Sequence, residues 1–482
     1  MKEAPYRRRC AHHGGGLGAS DAAHDEREVG APQLAARQVF SMSVLRRLVL
    51  LCSVLVAFAF AATPASGAEK AIWGPIKMPG GGSSFPVYRD LGVDTWQFAL
   101  DWPSVAPRRP ARPQHPSDPA YRWPPGLDAA VAEAGANGIN VALLATYSPP
   151  WANGGRPPAW APSTAAYHDF LVAAARRYPA VRRWMIWSEP NKADRLQPNS
   201  PTGPTGARTY APLLDAAYSA LKSVTHSNIV IGGMTWTGGE VKPKPFLDDM
   251  RLPNGRRPRL DWFGHNPFPF RFPDIREAAI GEGYRDISDL DLFSHEVRNV
   301  YPRARLWLSE FTVQSDKPSR DFELVVSRAE QARWLTASYR IADELPAVAG
   351  LGWLGLLDER PGPGSANWGL LTAGGARKPS FFAFRNAPSQ RLRPSVRAPG
   401  SVKRKTLARR GLSVRVRPKV SGRVRLVLRS RGRSVRRSTR RLRAHRTITL
   451  RLRRVRLRRG RYSVVVLAPR AARVERSLRV RR

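Results

Sequence analysis

Cysteine is almost missing from this chain. Of its 482 residues only Cys10 and Cys52 are cysteines. Both precede Ala68, so a chain processed there carries neither a disulfide nor a zinc site built on thiolates. Acid is scarce as well, with 80 Lys and Arg against 37 Asp and Glu and a formal net charge of +43. The shortage is local: from Arg391 to Arg482 there are 35 basic residues and a single acid, Glu475, a net of +34 that leaves +9 for residues 1 to 390. No strand candidate is followed by a G-x-G-x-x-G or P-loop turn, which disfavours a nucleotide cofactor. An apolar content of 42% excludes wholesale disorder and a collagen-like repeat.

The longest apolar run is 15 residues, Leu48 to Ala62, short of the ~20 needed to span a bilayer. Met42 and the basic Arg46 and Arg47 precede it, and small residues ending Ser66-Gly67-Ala68 follow, which is the layout of a secretory signal with its cleavage site. Residues 42–68 are therefore read as a signal peptide and residues 1–41 as an upstream mis-called start. The expected product is secreted, with no stable membrane span after processing.

Between about Ala71 and Ala387, short apolar runs recur at intervals of roughly 40 residues and alternate with amphipathic stretches. Strands are predicted at residues 71–75, 95–101, 139–146, 183–187, 229–235, 260–265, 305–310 and 348–356, and helices at 165–178, 210–224 and 328–345. Nearly continuous apolar strands alternating with helices imply a parallel sheet buried on both faces. Eight of them over this length fit a (β/α)8 barrel, assigned to residues 69–390. Past Pro388 the period changes to two: Leu412, Val414 and Val416, then Val424, Leu426 and Leu428, then Ile448, Leu450 and Leu452, then Tyr462, Val464 and Val466 alternate with Arg, Ser or Thr. Residues 391–482 are read as a small antiparallel β-sandwich with one cationic face.

In such a barrel the polar residue at the carboxyl end of a strand points into the active-site mouth. Two apolar runs stop at glutamate: Trp184-Met185-Ile186-Trp187-Ser188-Glu189-Pro190-Asn191, and Leu306-Trp307-Leu308-Ser309-Glu310-Phe311. By count they end the fourth and seventh strands, which face each other across the mouth. Glycosidic bond hydrolysis needs two carboxyl groups, one protonated and one ionised.

On these two segments the chain resembles the retaining glycoside hydrolases of the large (β/α)8 superfamily often called clan A, which includes cellulases and xylosidases. The resemblance implies that Glu189, in a W-x-E-P-N segment, is the acid/base, that Glu310 is the nucleophile, and that no metal or organic cofactor is needed. Three departures bear on rate and substrate. Ser188 stands where the superfamily usually has an Asn that bonds the sugar 2-hydroxyl, and its shorter side chain reaches that group only through water. The His265-Asn266-Pro267-Phe268 segment lacks the Tyr that commonly bonds the nucleophile. Gln97 occupies the place of a frequent Arg.

Flat indole faces at a barrel mouth suit the C–H faces of sugar rings. Trp102, Trp151, Trp353 and Tyr147 are candidate sugar contacts, with His265 and Asn191 as candidate hydrogen-bonding residues beside the alternatives of core histidine and loop cap. The carbohydrate is the expected substrate. For the basic module the candidate partner is an anionic cell-envelope polymer or an acidic polysaccharide, with a plain spacer as the competing reading. Nucleic acid is disfavoured because aromatic residues are not interleaved with the arginines. A non-catalytic polysaccharide- or envelope-binding protein on a degenerate barrel is the alternative to the hydrolase.

Overall fold

A computed structural model describes residues 67–453 and 455–482. The expectations for Cys10, Cys52 and the signal segment up to Ser66 lie outside the described residues. Eight parallel strands close into a barrel: β1 (Glu69–Trp73), β2 (Thr95–Asp101), β3 (Asn140–Thr146), β4 (Arg183–Ile186), β5 (Ile229–Trp236), β6 (Trp262–Asn266), β7 (Arg305–Phe311) and β8 (Val348–Trp353). Each pairs with its sequence neighbours, and β8 pairs with β1 to complete the ring. The helices α1 (Thr164–Arg177), α2 (Thr205–Val224) and α3 (Arg328–Glu344) lie within two residues of their expected bounds, except that α2 starts five residues early. Helix α3 opens on a capping box in which Ser327 and Glu330 each accept the other's backbone N–H at 3.2 Å. Among the described residues no helix is long and apolar enough to cross a membrane.

Side-chain size decides how the barrel interior fills. Small residues such as Ala71, Ala142 and Ala349 leave room for Met185, Met234 and Trp307. A Cβ on Gly350 would run into the Trp307 ring, and one on Gly352 into the Ser309 carbonyl oxygen, so only glycine lets β8 pass β7 this closely. Trp307 in turn donates to Gln97 Oε1 at 3.1 Å, and Gln97 Nε2 donates to Ser309 O at 2.8 Å. Gln97 thus fixes the β7 backbone one residue before Glu310.

After helix α4 (Pro379–Asn386) the chain builds two sheets around one core. One contains β9 (Ser395–Arg397), β11 (Leu412–Arg417) and β14 (Ile448–Leu452). The other contains β10 (Ser401–Lys403), β12 (Gly422–Ser430), β13 (Arg433–Leu442), β15 (Gly460–Leu467) and β16 (Val474–Arg481). The alternating Leu and Val face inward, as in β11, where Leu412, Val414 and Val416 are buried and the residues between them exposed.

This second body is bolted to the barrel through Asp94. Its buried carboxylate accepts from Lys70 N at 2.9 Å and from Ser389 Oγ, Gln390 N and Arg391 N, each at 2.8 Å. Lys70 Nζ, also buried, donates to the carbonyls of Phe384 and Ala387 at the end of α4. Burial pushes the Lys70 ammonium down to about 7 against the opposing pull of Asp94. Removing the Asp94 carboxylate leaves three backbone amides and the buried Ser389 hydroxyl without their acceptor. Asp94→Ala is therefore expected to lower stability by about 3 kcal/mol or more, at ~1–3 kcal/mol for each unsatisfied buried group, measured by denaturant unfolding; a loss below about 1 kcal/mol would show the junction to be dispensable.

Candidate active site

The mouth is built where the strands end, and the backbone there is bent out of ordinary conformations. Tyr147, Trp187, Glu189 and Met234 all have positive φ, at 61°, 65°, 46° and 47°. For non-glycine residues each such angle costs about 1–3 kcal/mol, a pattern typical of functional sites. Two of them flank Ser188, so the chain leaving β4 turns twice within three residues and delivers Glu189 into the mouth. The loop is then tied back: Trp187 Nε1 donates to Arg195 O at 2.9 Å, and Lys192 N donates to Glu189 O at 3.0 Å.

Glu189 is 6% exposed and well partnered. Asn266 Nδ2 donates to its Oε1 at 3.0 Å, and Ser309 Oγ donates to Asn266 Oδ1 at 2.6 Å. Its other oxygen, Oε2, faces Lys192 Nζ at 3.5 Å and Arg195 Nε at 3.9 Å. Glu310 is treated differently. Part of its surface faces the mouth, and among the described residues no group donates a hydrogen bond to its carboxylate. Burial, followed by the charge of Glu189, pushes its carboxyl up to about 8, with Arg195 and Lys192 pulling the other way. The charge of Glu189 thus reaches Glu310, which keeps its proton at neutral pH.

The remaining candidates divide by exposure. Ser188, Tyr147 and Trp151 are partly exposed, and Trp151 Nε1 donates to Ala106 O at 2.7 Å. Trp102 and Trp353 are fully buried. Trp102 stacks on Phe170 at 4.9 Å, and Trp353 Nε1 donates to Trp368 O at 3.0 Å. They support the mouth from behind and offer it no ring face. His265 is also fully buried, its Nε2 2.7 Å from Arg285 O and its Nδ1 2.9 Å from the Thr235 hydroxyl. Burial pushes its imidazole down to about 4, so it is a neutral core histidine. Asn191 closes the loop, donating to Trp236 O and Val241 O, both at 2.9 Å, and accepting from Trp236 N. His265 and Asn191 thus take the alternatives of core histidine and loop cap, and the buried rings of Trp102 and Trp353 differ from the exposed platforms expected of them.

Sequence reasoning passed over several residues that the structure places here. Asn266 lies in the segment searched for a tyrosine, and it serves Glu189 rather than Glu310. Lys192 and Arg195 closely follow Asn191, and Trp73 and Trp236 end β1 and β5 as partly exposed rings. Strand-end position was the available signal for both tryptophans. Among the described residues no group of three His, Cys, Asp or Glu is arranged to hold a metal ion.

No family model matches the sequence, and no curated protein matches it either. Solved structures do. A family 39 glycoside hydrolase from Bacteroides cellulosilyticus aligns at 16% identity over 80% of this chain and 82% of its own, with a TM-score of 0.50. The shared feature is the fold. A family 39 β-xylosidase from Caulobacter crescentus aligns at 16% identity over 82% of this chain and 95% of its own, with a TM-score of 0.47. Bacteroides uniformis β-glucuronidase 2 aligns at 13% over 86% of this chain but only 46% of its own, at 0.45. At 16% identity the likeness to the first of these speaks for architecture alone, and the chemistry rests on the residues.

Proposed function

We propose that the protein is an exported retaining glycoside hydrolase that uses Glu189 as acid/base and Glu310 as nucleophile. The observation that carries this reading is the pair itself: two carboxyls ending β4 and β7 at one barrel mouth, so close that the charge on one raises the proton affinity of the other. In the first step Glu189 gives its proton to the glycosidic oxygen while Glu310 attacks the anomeric carbon and the C–O bond to the leaving group breaks. In the second, Glu189 takes a proton from water, the resulting hydroxide equivalent attacks the same carbon, and the ester to Glu310 breaks.

The basic body supplies a second, separate function in this reading, retention on an anionic envelope polymer or acidic polysaccharide. The competing view, a barrel that binds sugar without cleaving it, draws on the absence of hydrogen-bond donors to Glu310 among the described residues. One experiment separates them. Protein recovered from culture medium, with its amino terminus sequenced, is incubated with a panel of aryl glycosides and polysaccharides. Turnover with retained anomeric configuration, by a chain beginning near Glu69, is the expected result. Binding without turnover across the panel would favour the non-catalytic barrel, and inverted product would overturn the double displacement.

A further inference from the structure

The loop after β4 carries two cations whose hydrogen-bonding capacity is unused. Lys192 Nζ stands 3.5 Å from Glu189 Oε2 and 3.9 Å from Asp194, and lies 5.1 Å from the centre of the Trp236 ring. Among the described residues it donates no hydrogen bond. Arg195 Nη1 donates to the Tyr147 hydroxyl at 2.6 Å, while its buried Nε makes no hydrogen bond, facing Asp194 Oδ2 at 3.6 Å and Glu189 Oε2 at 3.9 Å, and its Nη2 bonds no described residue. The neighbouring acids leave this capacity open. Asp194 is 62% exposed, and the Glu240 carboxylate accepts from Ala193 N. Nor are the two cations loose surface side chains: their loop is pinned at Trp187, Asn191 and Arg195.

Both cations approach the same Glu189 oxygen, at 3.5 and 3.9 Å, from a loop held in place by its own hydrogen bonds. A carboxylate or sulfate lodged against them would meet donors that no described residue uses and would form charge-assisted hydrogen bonds, about twice as strong as neutral ones. Such a group would lie beside Glu189, where the glycosidic oxygen must also lie.

We propose that the substrate carries an anionic group, a carboxylate or a sulfate, on one of the two sugars flanking the scissile oxygen, and that Lys192 and Arg195 bind it beside Glu189. This rests on the hydrolase reading of the mouth and names its substrate class. A neutral glycoside would leave the open donors of Lys192 and Arg195 without an anionic acceptor.

The test uses full-length protein and paired oligosaccharides: uronate-containing chains with their carboxyl-reduced counterparts, and sulfated chains with their desulfated ones. The two pairs distinguish carboxylate from sulfate. Cleavage is followed in the unsubstituted protein, and binding by calorimetry in Glu310→Gln. The expected result is at least a tenfold preference for an anionic member over its neutral partner, lost in Lys192→Met and in Arg195→Met and kept in Lys192→Arg. Equal or faster cleavage of neutral chains overturns the anion site and leaves the hydrolase reading intact. A preference that survives both Met substitutions assigns the anion to the basic body instead and overturns the proposal. Anion-selective binding that depends on Lys192, without cleavage, keeps the anion site and overturns the hydrolase reading, and absence of both binding and cleavage overturns the two together.

Discussion

Glu310→Ala is expected to abolish turnover of every glycoside, because without its carboxylate no glycosyl-enzyme forms. Glu189→Ala is expected to behave selectively. Substrates whose leaving group departs as a stable anion need little protonation and keep much of the first step, whereas alkyl glycosides lose the ~10²–10⁴-fold contribution of general acid catalysis. Equal losses with both leaving-group classes would contradict the assigned roles. The pH profile of kcat/KM adds an independent check. Glu310 is held up to about 8 by burial and by the charge of Glu189, so below that pH the site retains this proton and above it does not. With the proton gone no acid is left for the leaving oxygen, and the rate is expected to fall as pH rises through about 8. An alkaline limb near the ordinary carboxylate range would show that the two groups do not interact in the free enzyme.

The sequence made the barrel legible because its strands are short apolar runs that stop at polar residues, a pattern that needs no long-range information. β2 spans residues 95–101 as expected, and both glutamates stand at the ends of the strands that predicted them. The inward alternation of β11 and β12 was legible for the same reason. Strand β13 was not, since only Val435 and Leu442 in RSVRRSTRRL are apolar and nine of its ten residues are at least partly exposed. It is a strand because β12 pairs with it along its whole length. The surroundings of the glutamates were equally hidden. Whether a strand-end tryptophan faces the mouth, as Trp236 does, or packs behind it, as Trp353 does, depends on shifts of strand register, between Gly232 and Thr235 in β5 and between Leu351 and Trp353 in β8, and on the helices outside, which period alone does not record. The junction was missed because a lone Asp94 in an exposed-looking turn gives no sign of the backbone amides of Gln390 and Arg391, far along the chain, from which it accepts.

That junction changes how the basic body can be tested. Cutting the chain at Arg391 would strip Asp94 of the Arg391 amide and remove Arg470, whose guanidinium donates to the carbonyls of Arg385 and Asp90, so a truncated protein would report on folding as well as on binding. Substitution within the edge strand avoids this. In β13, Arg433, Arg436, Arg437, Arg440 and Arg441 are all exposed, and Arg441 stands directly opposite Arg423 on β12. Like charges opposite one another are unfavourable by roughly 0.2–1 kcal/mol per pair. Among the described residues of this body the only carboxylate partner is Glu475, engaged by Arg473 at 3.6 Å. A polyanion laid along the strand relieves that repulsion, and its affinity should follow the screening of charge. Binding of full-length protein to polygalacturonate is expected to fall steeply between about 50 and 500 mM salt, as the Debye length shortens from above to well below ~10 Å. Replacing the five β13 arginines by glutamine is expected to weaken low-salt binding at least tenfold, with turnover of small glycosides unchanged because none of the five lines the mouth. Binding that ignores salt, or that survives the five substitutions, would reduce this face to a solvated edge whose charges serve only to keep β13 from pairing with other strands.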